Sequence, residues 1–323
     1  MNRFLSQVVG VELFTPKIND SLWYFKDVLG YYEVGKDKES VYLRAYNEFL
    51  YPFSIKLTEQ EKSGIGEIYV RTMSEADLYD TVKTLEGNGV KGLWVEPDSK
   101  IGRSYAFETP SGHTVRLFWD FKEFVTPEEL KSILKDRPMK IPNKGIGVVG
   151  FDHVAVSGVN QKENRLFWEK LGVKTHEMVV KGNMEIAAFM SLTGKAHDIV
   201  FFNDQIPGRL NHVAINIEHS SDIFKVTDMY RDYGIEIVSG PLRHGITQGI
   251  GIYGKEPGGN VIEVHGLQYY NYLPDWKPLV WDVDKDFWNP GAALYGYISE
   301  YLMKGSPEPG VKPLRPIELR ARR

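Results

Sequence analysis

The hydrophobic positions of the chain follow first a strand pattern and then a helix pattern, and this succession occurs four times. In its first occurrence, an apolar stretch at 8–13 predicts a strand, and Leu22, Phe25 and Leu29 then recur at helical spacing up to Gly30. The later occurrences consist of strands at 67–70, 151–156 and 211–217, each followed by a helix that ends at Gly89, Gly172 or Gly234. A β-forming residue follows each glycine, which predicts a strand after each helix.

The polar, β-rich sequence after each helix is punctuated by Gly- and Pro-containing turns and indicates three further strands per repeat. The four repeats are therefore predicted to be βαβββ modules of an α+β fold, paired into two domains, as suits a chain of 323 residues. The repeat glycines lie 59, 83 and 62 residues apart, so an inserted segment separates the two pairs. The predicted divisions are an N-terminal domain (1–125), a connector (126–147), a C-terminal domain (148–267) and a C-terminal tail (268–323).

Two segments lie outside the repeats. In the connector, Thr126 and Pro127 followed by two acidic residues predict a short helix that runs to Arg137, where Pro138 stops it. In the tail, ten aromatic residues occur between Tyr269 and Tyr301. Such an apolar segment is expected to pack on the second domain or on another subunit.

Composition restricts the possible functions. A hydrophobic content of 42% and a charged content of 25% are typical of a soluble globular protein. The net charge of -4 provides no broad positive surface for nucleic acid. The sequence shows no membrane-spanning apolar run and no secretory signal, so we expect a cytoplasmic protein without a membrane partner. The chain has no cysteine, which leaves His, Asp and Glu as the natural metal ligands.

Three residues of the second half predict a metal site. His153 and His212 occupy the same place in the third and fourth repeats, and Glu263 lies in the last strand of the fourth. Because side chains alternate along strands, all three can face the concave side of one curved sheet. Two imidazoles and a carboxylate suit Fe(II) with positions left open for substrate and oxygen. A single strand histidine is more often structural, but the repetition and a strand Glu that is costly to bury favour ligands.

The sequence from His244 to Glu263 reads HGITQGIGIYGKEPGGNVIE. It resembles the signature of the type I extradiol ring-cleavage dioxygenases of the vicinal oxygen chelate superfamily, and most closely that of the catechol 2,3-dioxygenases. The histidine, Tyr253, the Pro-containing turn and the glutamate all fall at the intervals of that family. The resemblance covers roughly the whole chain and implies the vicinal oxygen chelate, or glyoxalase-like, fold.

This resemblance also implies a set of residue roles. His153, His212 and Glu263 match the ligands of Fe(II), or of Mn(II). His197 matches the acid–base residue beside the oxygen site, and an imidazole, whose ordinary pKa is near neutrality, is well poised for such proton transfers. His244 and Tyr253 match the pair that binds and helps to deprotonate the catechol.

The implied reaction is cleavage of catechol or an alkyl catechol by O2, beside the diol, to a product of the 2-hydroxymuconate-semialdehyde type in aromatic catabolism. The implied enzyme is a homo-oligomer, expected to be a tetramer. Its N-terminal domain is expected to lack metal, because alignment of the repeats places Arg116 at the position of Glu263, where a cation opposes a second metal. The same alignment places Glu67 near the position of His212, and Val11 and Glu12 near that of His153.

Two other function classes are open to a glyoxalase-like chain: a metal-free binding protein of the bleomycin-resistance type, and a lyase or isomerase resembling glyoxalase. The two histidines and one glutamate disfavour both, because the first class lacks these ligands and the second normally uses more carboxylates. No arginine is identified as a clamp for a substrate carboxylate, so plain or alkyl catechols are favoured over homoprotocatechuate. Iron and manganese both accept these ligands, so the metal is left open.

The remaining histidines are expected to have lesser roles. His113, His176 and His219 lie in polar sequence and are expected at the surface. His265 follows Glu263 by two residues and faces the same side of its strand. It is expected either to line the mouth of the pocket or to pack against the tail.

Overall fold

All four repeats form βαβββ modules in the computed structural model, which describes residues 4–286. The first module contains β1 (Leu5–Thr15), α1 (Ile18–Trp23), β2 (Tyr32–Lys36), β3 (Ser40–Arg44) and β4 (Ile55–Glu59). The second contains β5 (Gly64–Thr72), α2 (Glu75–Gly87), β6 (Gly92–Val95), β7 (Ser104–Glu108) and β8 (Thr114–Phe118). Helix α1 continues as a π-helix over Tyr24–Leu29.

The second half repeats this arrangement. The third module contains β9 (Gly150–Gly158), α3 (Gln161–Lys170), β10 (Lys174–Lys181), β11 (Met184–Ser191) and β12 (Ile199–Asn203). The fourth contains β13 (Arg209–Asn216), α4 (Ile223–Asp232), β14 (Glu236–Arg243), β15 (Ile250–Lys255) and β16 (Val261–His265). Strand β17 (Leu279–Asp282) and helix α5 (Val283–Asp286) follow, and a 3-10 turn over Ser220–Asp222 precedes α4.

The four predicted helix ends have the geometry that requires glycine. Gly30, Gly89, Gly172 and Gly234 all have positive φ angles, of 89°, 79°, 86° and 67°. The residue after each glycine donates its backbone N–H to a helix carbonyl, as Val90 does to Leu85 at 3.0 Å. A left-handed residue at this point lets the chain turn back into a strand while it satisfies the last carbonyls of the helix.

The modules pair into two sheets. Strands β1 to β8 form an eight-stranded sheet in the order β2-β3-β4-β1-β5-β8-β7-β6, and the second sheet has the order β14-β15-β16-β13-β9-β12-β11-β10-β17. In each sheet the first strands of the two modules pair antiparallel, and each is flanked by a parallel strand from the end of its own module. The precise domain limits proposed from the sequence stay a prediction.

The two sheets share one hydrophobic core, in which buried side chains of all four modules are in contact. Buried polar contacts also join the halves. Glu256 accepts a hydrogen bond from Ser21 Oγ at 2.7 Å, and the hydroxyls of Tyr24 and Tyr230 lie 2.7 Å apart. The two halves therefore pack as one unit.

The connector differs from its prediction. It contains a single 3-10 turn at Glu128–Leu130 in place of a helix that runs to Arg137. Ile133 is 98% exposed and Leu134 is 48% exposed. Without an apolar face packed against a neighbour, the start signals of the sequence are too weak to sustain a helix.

The predicted surface positions of His113 and His176 are wrong, because both residues are buried. His176 lies under the tail. Its Nδ1 donates to the carbonyl of Ala196 at 3.1 Å, and the backbone carbonyl of His176 accepts a hydrogen bond from Trp276 Nε1 at 3.0 Å. His219 is exposed, as predicted.

The described part of the tail packs on the second sheet, which is one of its two expected locations, the other being another subunit. Strand β17 pairs in parallel with β10. The aromatic residues of the tail beyond position 286 lie outside the described residues. Within the described part of the chain, no helix is long and apolar enough to cross a bilayer.

His113 is expected to make the stability of the fold depend on pH. Its Nε2 donates to the carbonyl of Arg209 at 3.0 Å and its Nδ1 accepts from Ser111 Oγ at 2.9 Å, so this contact between the halves holds the neutral ring. Burial lowers the pKa of His113 to about 4, against about 6.5 in an unfolded chain. The unfolded state therefore binds the extra proton first, and we expect His113 alone to lower the free energy of unfolding by up to about 3 kcal/mol between pH 6.5 and pH 4.

Urea unfolding across that pH range tests this expectation. In His113→Gln, the part of the pH dependence that His113 contributes should disappear, whereas the exposed-site variant His219→Gln should keep it. Equal pH dependence in wild type and His113→Gln would show that His113 is not the responsible group.

Candidate metal and substrate site

The three predicted ligands meet on three neighbouring strands of the second sheet. His153 lies on β9 and Glu263 on β16, and both pair with Ala214 of the intervening strand β13. His212 precedes Ala214 by two residues and so lies on the same face of the sheet.

Their ligand atoms converge on one point. The Nε2 atoms of His153 and His212 are 3.2 Å apart, and they lie 3.2 and 3.3 Å from Glu263 Oε2. All three side chains are buried. Their ligand atoms lie within 4.8 Å of one another, a grouping able to hold a metal ion.

The hydrogen bonds of the two histidines fit this cluster to a divalent cation. His153 Nδ1 lies 2.6 Å from Asp152 Oδ2, and His212 Nδ1 lies 2.7 Å from Asn211 Oδ1. An acceptor at each Nδ1 places the proton there in the neutral ring and leaves the Nε2 lone pair free for a metal. Glu263 Oε1 is buried without a hydrogen-bond partner among the described residues. Two lone pairs and a carboxylate facing one another require a positive charge between them.

The pKa shifts of His212 and Glu263 agree with this assignment. Burial disfavours protonation of His153, whereas its hydrogen bonds to Asp152 and Glu263 prevail and raise its pKa, as neighbouring carboxylates do when no cation lies between them. Burial lowers the pKa of His212 to about 4, which keeps its imidazole neutral. Burial by itself would raise the pKa of Glu263, but His265, His153 and His212 together hold it well below its ordinary value. A neutral imidazole and an ionised carboxylate are the protonation states in which these residues bind metal.

A buried network of hydrogen bonds behind His153 is absent from the sequence predictions. Asp152 accepts hydrogen bonds from Asn216 Nδ2 at 2.9 Å and Gln268 Nε2 at 2.8 Å, and it lies 3.2 Å from Lys195 Nζ. Such partners orient a ligand histidine and keep its donor nitrogen basic. The polar residue directly before each ligand histidine, Asp152 and Asn211, is the sequence signal that could have revealed this support.

The ligand atoms open into a cavity of about 80 Å³. Its wall includes the side chains of Val179, Ile186, Ala187, Phe189, Val200, Phe202 and Ile246. Among the residues that line it within the described chain, there is no lysine or arginine. The cavity therefore has the ligand cluster on one side, and much of the rest of its wall is apolar.

His197 lies directly against His153 of this cluster. Its ring centroid is 4.0 Å from that of His153, and Phe189 contacts it edge-on at 5.6 Å. Burial is the main reason why the pKa of His197 is well below its ordinary value. Its Nδ1 is buried without a hydrogen-bond partner among the described residues, so a neutral imidazole is left able to exchange a proton with a ligand in the cavity.

His244 and Tyr253 form a hydrogen-bonded pair on the other side of the cavity. His244 Nε2 lies 2.8 Å from the hydroxyl of Tyr253 and 3.8 Å from Glu263 Oε1. Burial, reinforced by Glu263, raises the pKa of Tyr253 well above its ordinary value. Tyr253 therefore remains a neutral hydrogen-bonding group.

His265, expected either at the mouth of the pocket or against the tail, is buried and lines the cavity. Its ring centroid is 5.4 Å from that of His153. Its side chain thus faces the ligand side of the strand, as its two-residue spacing from Glu263 predicts.

The first sheet holds an ion pair where the second holds the ligand cluster. Arg116 pairs with Tyr69 as Glu263 pairs with Ala214, and its guanidinium forms three hydrogen bonds of 2.8 to 3.0 Å to the carboxylate of Glu67. Gly10, which pairs with Tyr69, takes the position of His153. The alignment of the repeats placed Val11 and Glu12 near this position, slightly too far along the strand.

Comparison with known proteins decides the family. The model of the Glyoxalase/Bleomycin resistance protein/Dioxygenase superfamily matches residues 150–264. A metapyrocatechase of Geobacillus stearothermophilus is 31% identical over 87% of this chain and 86% of its own. The chain belongs to the extradiol dioxygenases. The buried histidine–histidine–glutamate cluster of the dioxygenase fits a divalent metal ion.

Other relatives agree with this membership. A manganese-dependent 2,3-dihydroxybiphenyl 1,2-dioxygenase of Geobacillus genomosp. 3 is 31% identical over 84% of this chain and 88% of its own. The 2,3-dioxygenase LapB of Pseudomonas sp. KL28 superimposes with a TM-score of 0.80 at 25% identity and covers 87% of this chain and 98% of its own. The predicted vicinal oxygen chelate fold is confirmed.

The geometry predicts one metal ion per chain, held in the second sheet. We expect His153→Ala and Glu263→Ala to lose the ion, because each removes one of three ligand atoms, and to stay folded, because the shared core does not depend on them. His219→Ala is the matched control and should retain full occupancy. Elemental analysis and circular dichroism measure both properties, and two ions per chain or full occupancy in either ligand variant would contradict the prediction.

Proposed function

We propose that this dioxygenase cleaves an apolar catechol beside its diol with O2, and that His153, His212 and Glu263 hold the metal. The observation that carries this proposal is a ligand cluster that opens directly into an apolar cavity containing His197, His244 and Tyr253. The product is of the 2-hydroxymuconate-semialdehyde type. Both atoms of O2 enter it, so the reaction needs no external reductant.

A catechol must lose protons when it binds, and the cavity offers acceptors for them. The metal, when bound, supplies positive charge that favours the deprotonated diol and a common binding point for the diol and O2. His244 and Tyr253 form one hydrogen-bonded unit at the cavity wall. We assign to this unit the orientation of the diol and the acceptance of a proton from it.

His197 is assigned the remaining proton transfers. It is neutral before the reaction, because burial depresses its pKa. A neutral imidazole can accept a proton in one step and return it to oxygen in a later step, which O–O bond cleavage requires. Its contact with His153 supports a position beside the metal site, and in this proposal His197 is not a ligand.

The lining of the cavity sets the class of ring substituent. Glu263 is a metal ligand in this proposal, and among the described residues of the wall there is no lysine or arginine that could pair with a carboxylate. Burial of an unpaired carboxylate costs several kcal/mol. We therefore infer that plain and alkyl catechols are preferred over catechols with an acidic side chain, such as homoprotocatechuate.

The assembly and location of the enzyme belong to the same proposal. We infer a cytoplasmic homo-oligomer, with a tetramer as the expected form, and this inference rests on the family resemblance. Light scattering after size-exclusion chromatography measures the mass directly, and a monomer would contradict it.

The reaction itself is tested with Fe(II)-loaded protein and catechol in air. One equivalent of O2 should be consumed per catechol, with the appearance of a yellow semialdehyde and no need for nicotinamide. The value of kcat/KM for 4-methylcatechol should exceed that for homoprotocatechuate by about tenfold or more, because of the missing carboxylate partner. A cis,cis-muconate product would contradict the predicted bond cleavage. Absence of O2 uptake with catechol, 3-methylcatechol and 4-methylcatechol would favour a binding protein.

His197→Asn tests the proton-transfer role. We expect it to keep the metal and to bind catechol anaerobically like wild type, yet to turn over about 10² to 10⁴ times more slowly, as for a missing general acid or base. His219→Asn serves as the control. Loss of metal in His197→Asn would make His197 a ligand, and near-normal turnover would make it a structural residue.

A further inference from the structure

The loop between β14 and β15 contributes three residues to the cavity, and its backbone is strained. His244, Ile246 and Thr247 line the cavity. Thr247 and Gln248 follow one another with φ angles of 62° and 57°. Non-glycine residues occupy this left-handed region at a cost, and two in succession persist only where surrounding contacts hold them. The position of His244 therefore depends on contacts from outside the loop.

Glu177 of β10 supplies such a contact. Its Oε1 accepts hydrogen bonds from the backbone N–H of Thr247 at 2.8 Å and from the hydroxyl of Tyr269 at 2.9 Å. Its Oε2 accepts from Trp281 Nε1 at 2.6 Å. The carboxylate is only 1% exposed, and none of the described cations is among its electrostatic partners. Three neutral donors thus stabilise one buried carboxylate.

Two of these donors belong to the segment that follows the repeats. Tyr269 also donates its backbone N–H to the carbonyl of Thr247, at 3.4 Å. Trp281 lies on β17 and packs in one cluster with Val179, Ala187 and Ile246, which form part of the cavity wall. Glu177 itself pairs with Leu279 of β17. Through Glu177, the C-terminal segment is tied to the loop that carries His244.

We propose that Glu177 is a positioning residue which, with Tyr269 and Trp281, holds the 244–249 loop in the conformation that places His244 beside the diol. The C-terminal segment thereby takes part in diol binding without contacting the diol. The kinetic consequence of this inference rests on the proposed function. The conformational consequence does not, so the two can be tested separately.

The first test is Glu177→Gln. The amide has nearly the shape of the carboxylate, but its NH2 group faces the N–H of Trp281 or the donors on the other side, so at least one buried donor loses its acceptor. Hydrogen–deuterium exchange of the peptide that spans 244–249 should accelerate by about tenfold, on the order of one lost buried hydrogen bond. Tyr269→Phe, which removes one donor and no volume, should produce a smaller acceleration in the same peptide.

The second test separates binding from chemistry in the metal-loaded variants. The KM for catechol should rise by about tenfold in Glu177→Gln, with a smaller change in kcat and unchanged metal content, because the loop holds a substrate-binding group and no metal ligand. The exposed-site variants Glu236→Gln and Tyr272→Phe are the matched controls and should leave exchange and KM unchanged.

A rescue variant distinguishes positioning from general destabilisation. In Glu177→Gln combined with Trp281→Phe, the amide oxygen can face Thr247 and Tyr269, and no indole N–H remains unpaired. Exchange in 244–249 and KM should both return toward the wild-type values.

Unchanged exchange in both Glu177→Gln and Glu177→Ala, the second of which removes every acceptor of the side chain, would overturn the proposal, as would a double variant worse than Glu177→Gln in both measurements. If wild type cleaves no catechol at all, the proposed function fails, and the exchange measurements still decide whether Glu177 holds the loop.

Discussion

The burial of three electron-rich ligand atoms around one point is the constraint on which the second half of the protein depends. The Nε2 lone pairs of His153 and His212 face the carboxylate of Glu263 inside a sheet that excludes water. Such a group is stable only with a cation at its centre. The first sheet meets the same requirement differently, since Arg116 brings a guanidinium to the carboxylate of Glu67. One scaffold thus carries a fixed cation in one half and a place for an exchangeable one in the other.

This difference explains why chemistry is confined to one half. A guanidinium is held by its own side chain and fills the space that substrate would need, whereas a metal ion with three protein ligands retains open positions. The ligands must then be oriented by other groups. Asp152, Asn211 and the residues around them provide this orientation from within the sheet, and Glu177 supports the opposite wall from the sheet edge. The reactive centre is small, but the structure that holds it includes both sides of the sheet.

The repeat, its four glycines and the ligand triad could be predicted from sequence, because each depends on local periodicity or on equivalent places in successive modules. Burial of His113 and Glu177 could not, since their partners Arg209 and Trp281 lie about a hundred residues away in the chain. Polar neighbours in sequence gave no sign of these contacts. The helix predicted in the connector was wrong for the opposite reason. Its local start signals were good, but no tertiary packing stabilises a helix there. The Asp152 network lies between these cases, since its position before His153 was visible and its partners were not.

Strand β17 has a consequence for the protein outside the active site. It covers β10 from Glu177 to Val180, a stretch that includes Met178 and Val179 and would otherwise form the border of the second sheet. A bare border of this kind presents unpaired backbone groups beside apolar side chains and invites pairing with another chain. Cleavage of the polypeptide before residue 279 would therefore expose an aggregation-prone strand as well as release the cavity wall. The same four-residue strand therefore protects the solubility of the protein and supports the wall of the cavity.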